Sequence, residues 1–226
     1  MLETAPSLTD QIYAAIVDDI CGGRIGPGTH LVQERLAERF GVSRQPIQQA
    51  MARLRADGVV EELGRRGLFV APLDPERLRQ HYGIRAALDG WAARQAARRN
   101  AANPSATVAF ITRGREILAA GNAAVAADDV AEQVRCDEAF HFLIYEASGN
   151  PMVATTAEPH WRFLRRAMGE VLRKAEAPSE IWRQHAEIFE AVAAGNEVQA
   201  ERLAVGHVER AAGLLAAELE LMRAAS

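Results

Sequence analysis

Leu8, Ile12, Ile16 and Ile20 recur every four residues, the apolar stripe of an amphipathic helix. The stretch "CGGRIGPG" (21–28) ends it, because glycines and Pro27 do not continue a helix. Leu31, Leu36, Ala37 and Phe40 predict a short second helix, Gly41 and Val42 a turn, and Ser43 the N-cap of a third helix. That helix tolerates Pro46 in its first turn. Its packing face is Ile47, Ala50, Met51 and Leu54, at i, i+3, i+4 and i+7. Arg44, Gln48 and Arg55 fall within about 40° of one another on a different face, with Gln45 and Gln49 beside them. "VVEEL" and "LFVAP" around "GRRG" then predict a hairpin with a basic tip, and "APLDP" (71–75) a linker.

Beyond Pro75 every segment has helical periodicity. Six helices are expected near 75–100, 104–124, 128–148, 151–176, 178–194 and 196–221. Asn103-Pro104, Asp128-Asp129, Gly149-Asn150-Pro151, Pro178 and Gly195-Asn196 separate them, and loops this short make neighbouring helices antiparallel. The expected fold class is mainly α: an N-terminal helix-turn-helix with a wing (residues 1–72), followed by an all-α antiparallel bundle (73–226).

Three of the bundle's apolar stripes contain polar residues. Val130, Val134, Asp137, His141 and Ile144 share one face; Ile181, His185, Ile188 and Val192 share another; Leu203, His207, Ala211 and Leu214 share a third. Burying such groups unsatisfied costs about 1–3 kcal/mol each, so they need partners. Asp and His at i, i+4 lie one above the other and can grip one ion. Three histidines and a carboxylate suit Zn²⁺ foremost, with Ni²⁺, Mn²⁺ or Fe²⁺ as alternatives. His30, His81 and His160 lie on no such stripe.

The net charge of −4 argues against nucleic acid until its distribution is considered. From Arg35 to Arg66, seven arginines stand against four acidic residues, a local charge of +3. No apolar run of about 18 residues exists, so no membrane span is expected. The opening "MLETAPSLTD" does not read as a signal peptide. Cys21 and Cys136 are too far apart for a redox or metal motif and read as buried free thiols of a cytoplasmic protein.

Residues 8–72 resemble the winged helix of GntR-family transcription regulators. The likeness is carried by the G-x-I-x-P-G-x-x-L loop at 23–31, "LAERFGVSR", "ARLRADGVV" and the "RRG" before Val70. It implies DNA contacts from Ser43, Arg44, Gln45 and Gln48 and from the wing around Arg65, Arg66 and Gly67. Arg55 joins them through its place on the Arg44 face, whereas Arg53 points away and reads as a solvated charge. The family usually has arginine where this chain has Gln48. Residues 75–222, with "IRAALDGWAARQAA" and "CDEAFHFLIYEASGNP", resemble the FCD effector domain of the FadR subfamily in its shorter, six-helix form. In metal-binding members a D-x-x-x-H and two later histidines match Asp137, His141, His185 and His207. The resemblance further implies a small carboxylic-acid effector, with Arg85 as a candidate for binding it or for a salt bridge. It also implies a homodimer on a palindromic operator. Two other functions remain open at this level: a metal hydrolase, disfavoured by four protein ligands and no evident general base, and a regulator with a purely structural metal.

Overall fold

The computed structural model describes residues 7–172 and 178–224, without the side chains of Arg65, Pro104, Ala106 and Pro178. The chain forms two compact units, Met1–Leu73 and Asp74–Ser226. In the first, α1 (Leu8–Cys21), α2 (Gln33–Phe40) and α3 (Arg44–Ala56) precede a hairpin of β1 (Val60–Glu62) and β2 (Leu68–Val70). Ser7 and Asp10 cap α1 reciprocally, each side chain accepting from the other's backbone N–H at 3.2 Å. Ile12, Tyr13, Ile16, Val17 and Ile20 of α1 meet Ile47, Ala50, Met51 and Leu54 of α3 in one core. Leu8, the first member of the predicted stripe, is 49% exposed at the helix end. Gly41 closes α2 with φ of 65°, a left-handed conformation in which a Cβ is strained. In the hairpin Val60 pairs with Val70, Glu61 with Phe69 and Glu62 with Leu68. His30 bridges to Phe69 and stacks on its ring at 4.6 Å, which ties the loop after α1 to the wing.

The second unit is helical among the described residues: α4 (Pro75–Ala102), α5 (Pro104–Ala126), α6 (Val130–Ser148), α7 (Pro151–Val171), α8 (Pro178–Ala193) and α9 (Glu197–Ala224). Asp74, Asp129 and Asn150 cap α4, α6 and α7, their side chains accepting from backbone N–H groups. The expected end of the fourth bundle helix at 176 falls outside the described residues. The two 28-residue helices, α4 and α9, pack along each other. Small side chains allow this: Ala92, Ala93, Ala96 and Ala97 are fully buried, and a Cβ on Gly90 would lie 2.5 Å from Val205 Cγ2. Helix α4 also packs against α6 and α8. Among the described residues no helix is long and apolar enough to cross a membrane.

Candidate DNA-reading face and metal centre

Ser43 occupies the N-cap position of α3, but its side chain makes no capping hydrogen bond. Ser43, Arg44, Gln45 and Gln48 are exposed along the start of that helix, and Arg55 is exposed further along it. Two of these cations are engaged: Arg44 pairs with Glu34 of α2, and Arg55 with Glu62 of β1 at 2.9 Å. Both pairs are more than half exposed, so each contributes little and can exchange for phosphate at small cost. Arg53 is not the free charge expected of it. It pairs with Asp10 at 2.6 Å and lies over the Tyr13 ring at 4.3 Å, joining α3 to α1. Gln49 accepts a hydrogen bond from Thr9 at 2.9 Å and likewise faces α1. At the hairpin tip Gly64–Arg66 form one 3₁₀ turn with Arg66 exposed; the side chain of Arg65 lies outside the described residues. Gly67 has φ of 105°, and a Cβ there would meet His30 Nε2 at 2.6 Å.

In the bundle, α6, α8 and α9 bring Asp137, His141, His185 and His207 together, all buried, with one ligand atom from each within 4.8 Å of every other. His185 Nε2 lies 3.2 Å from Asp137 Oδ1 and 3.1 Å from His207 Nε2, and His141 Nε2 lies 4.0 Å from Asp137 Oδ1. Donor atoms on a tetrahedral zinc ion stand about 3.3 Å apart, so the set is spaced for one small cation.

The surrounding groups fix which ring atoms face inward. His141 Nδ1 donates to Asp89 Oδ2 at 2.9 Å and His207 Nδ1 to Gln184 Oε1 at 3.0 Å, leaving both Nε2 lone pairs directed at the centre. Asp89 also accepts from Arg85 Nε at 3.2 Å and from the Tyr145 hydroxyl, to which Trp161 Nε1 donates at 3.2 Å. Arg85 lies over the Trp161 ring at 3.9 Å. Burial first, and the nearby Arg85 guanidinium second, lower the pKa of His141; burial and the neighbouring histidines take His207 well below its usual value. Burial opposes ionisation of Asp137, but the His185 hydrogen bond, with Arg85 nearby, holds the carboxyl well below its ordinary range. The centre therefore offers a carboxylate and the Nε2 lone pairs of His141 and His207, donors of the kind that metal binding requires. Four atoms here have no hydrogen-bond partner: Asp137 Oδ2, His141 Nε2, His185 Nδ1 and Arg85 Nη2. A divalent cation fits this donor set and would engage two of these residues through atoms now unsatisfied or poorly satisfied.

Of the two roles expected of Arg85, the structure shows the salt bridge: Nε is tied to Asp89, while Nη2, with no hydrogen-bond partner, stands 4.0 Å from Asp137 Oδ2. Asp89, Tyr145 and Gln184 support the centre without having been singled out as site residues. Tyr82, also missed, is buried beside Arg85 with an unsatisfied hydroxyl. One signal was available: Leu78, Tyr82, Arg85 and Asp89 share a face at i, i+4, i+7 and i+11 of α4. The excluded histidines pair elsewhere, His81 Nδ1 lying 3.0 Å from His160 Nδ1 with Phe163 stacked on His81. Cys136 is buried, whereas Cys21 is half-buried rather than buried.

Residues 8–70 match the bacterial regulatory proteins of the gntR family and residues 80–210 match the FCD domain. An uncharacterised HTH-type transcriptional regulator of Agrobacterium vitis, from the TAR-I ttuE-ttuC' intergenic region, is 32% identical over 129 residues, 57% of this chain and 74% of that protein. The HTH-type transcriptional repressor RspR of Escherichia coli K12 is 25% identical over 208 residues, 92% and 89% of the two chains. The solved structure of E. coli McbR/YncC matches with a TM-score of 0.76 at 20% identity, over 92% of this chain and 97% of that one, a likeness of fold. Proteins built from these domains are transcription regulators, which removes the hydrolase reading. The chain belongs to the GntR family of bacterial transcription regulators, in the FadR-type arrangement of a DNA-binding winged helix followed by an FCD effector domain.

Proposed function

We propose that this regulator is a cytoplasmic homodimer that binds a palindromic operator and releases or remodels it when a small carboxylic acid binds beside a divalent metal ion. The observation that carries this reading is the convergence of Asp137, His141, His185 and His207 next to the unpartnered Nη2 of Arg85. The ion, Zn²⁺ foremost, would supply a Lewis-acidic point of attachment for a carboxylate. Arg85 would donate to that carboxylate, while Asp89 keeps the guanidinium charged and His141 correctly oriented. DNA contacts are assigned to Ser43, Arg44, Gln45, Gln48, Arg55, Arg65, Arg66 and Gly67. A dimer would set two such faces one helical turn apart on its operator.

Metal analysis of the purified protein, then fluorescence anisotropy on DNA flanking its own gene, tests the proposal. Expected are about one equivalent of metal per chain and sequence-selective DNA binding that weakens steeply with salt. A panel of carboxylic acids should change that affinity only in metal-loaded protein. Metal that stabilises the protein while no acid alters either stability or DNA affinity would leave the ion a structural role only.

A further inference from the structure

A cavity of about 330 Å³ lies beside the centre, bounded by α4, α6, α7, α8 and α9. Its chemistry is graded from end to end. Tyr82, Arg85, Asp137 and His207, all buried, form the inner end, and the unpartnered Arg85 Nη2 and Tyr82 hydroxyl belong to that end. The middle is apolar, built from Met168, Val171, Ile181, Trp182 and Leu215. The mouth carries Glu180, Arg210 and Glu218, of which the first two are exposed.

Charge limits what the inner end accepts. Arg85 contributes one positive charge and Asp89 and Asp137 one negative charge each, so these three side chains together carry −1. A divalent cation would turn this to +1, which a single carboxylate neutralises in a site where uncompensated charge is costly. A second carboxylate at the far end of a ligand would meet two acids and one arginine. Of the two amides in the wall, Gln184 is already bonded to His207 and Glu180 and Gln133 to the Ala124 carbonyl, so a polyhydroxylated acid would find mostly apolar side chains where each hydroxyl needs a hydrogen-bonding partner. The volume is at the small end for ligand pockets, room for on the order of ten heavy atoms.

We propose that the effector is a monocarboxylic acid with a compact apolar body, its carboxylate beside Arg85 and the metal centre and its body against Ile181, Trp182 and Leu215. This rests on the metal reading above, and the test separates the two. Zn²⁺-loaded protein, its metal content measured directly, is titrated calorimetrically with acetate, butyrate, hexanoate and phenylacetate, then with adipate and gluconate. Affinity should rise about three- to fourfold for each methylene buried, until the cavity is full. Hexanoate or phenylacetate should bind at least tenfold more tightly than adipate or gluconate. Ile181→Asn, in the half-buried wall, should weaken hexanoate at least tenfold and acetate little.

A flat series from acetate to hexanoate overturns the proposal, as does a preference for gluconate or adipate, or failure of the whole panel to bind. In each of those cases bound zinc would leave the metal centre standing. Protein that takes up no metal overturns both.

Discussion

Asp89→Asn probes the centre through a residue that would not touch the ion. The carboxylate receives three donors: His141 Nδ1 at 2.9 Å, Arg85 Nε at 3.2 Å and the Tyr145 hydroxyl. An amide of the same shape keeps one oxygen and turns the other site into a donor. If the amide group faces His141, that ring must carry its proton on Nε2, the atom aimed at the centre. Loss of such a supporting partner typically costs about 10- to 100-fold in metal affinity, or about 1.4–2.8 kcal/mol. The metal-free fold should suffer too, because the buried Arg85 loses its nearest counter-charge. Breaking a buried pair costs about 3–5 kcal/mol, and Asp137 near Arg85 Nη2 places the effect toward the lower value. Competition with a chromophoric zinc chelator measures the first quantity and urea unfolding of the metal-free protein the second. Tyr145→Phe, which removes one donor but leaves the charge, should change zinc affinity less than about threefold, below the range for a lost supporting partner. Zinc binding by Asp89→Asn within threefold of the parent, alongside the expected loss of stability, would refute the orienting role and leave Asp89 as the partner of Arg85 alone.

Gln48→Arg should tighten operator binding and steepen the dependence of log affinity on log salt by about one, whereas Arg53→Ala, which removes a tie to α1, should leave that slope unchanged; anisotropy across a salt series checks both. Gly41→Ala forces a Cβ into a left-handed turn and should destabilise the winged-helix unit by about 1–2 kcal/mol, read by thermal unfolding, and an unchanged midpoint would mean the turn relaxes freely. The metal-free protein should lose stability on acidification. His141 and His207 have depressed values and His81 is lowered to about 4, so from about pH 7 downwards the unfolded chain takes up protons at rings that resist protonation in the folded chain. Melting temperature should therefore fall from pH 7.5 to pH 5, and a rise would contradict the assigned neutral rings.

How far the sequence predicts these features depends on the distance over which they are decided. The stripe Val134, Asp137, His141 and Ile144 is buried on α6 because helical periodicity alone sets it, and the same holds for His185, Ile188 and Val192 on α8. Leu214 shares the predicted face of α9 yet is 66% exposed, since that part of the face borders the cavity instead of a packed neighbour. Arg53 and Gln49 looked like surface residues of a reading helix, but their partners, Asp10 and Thr9, belong to α1 and are identified only once α1 and α3 have packed. The pairing of Asp89 with His141 joins residues on α4 and α6 in the same way, and no local pattern encodes it.

A polar residue within an apolar stripe does not by itself distinguish a structural group from a functional one, because burial demands a partner in either case. The distinction comes after the protein's own partners have been assigned. Asp19 is buried on α1, where Arg24 and Arg39 meet it at 2.6 and 2.5 Å and neutralise it, although its Oδ2 lacks a well-directed hydrogen bond. His81 and His160 face each other across α4 and α7. At the centre the accounting does not close: Asp137 Oδ2, His141 Nε2, His185 Nδ1, Arg85 Nη2 and the Tyr82 hydroxyl lack hydrogen-bond partners in one neighbourhood, beside the cavity. Unsatisfied groups cost about 1–3 kcal/mol apiece, so a fold that keeps five together stands to be stabilised strongly by whatever satisfies them. That makes ligand-free protein the weaker fold and ties stability to occupancy, as binding linkage requires. If effector and ion both draw on this reserve, melting temperature should rise in two steps, first with zinc and then with the acid. Addition of the acid before zinc should produce little of the second step, because half of its attachment would be missing.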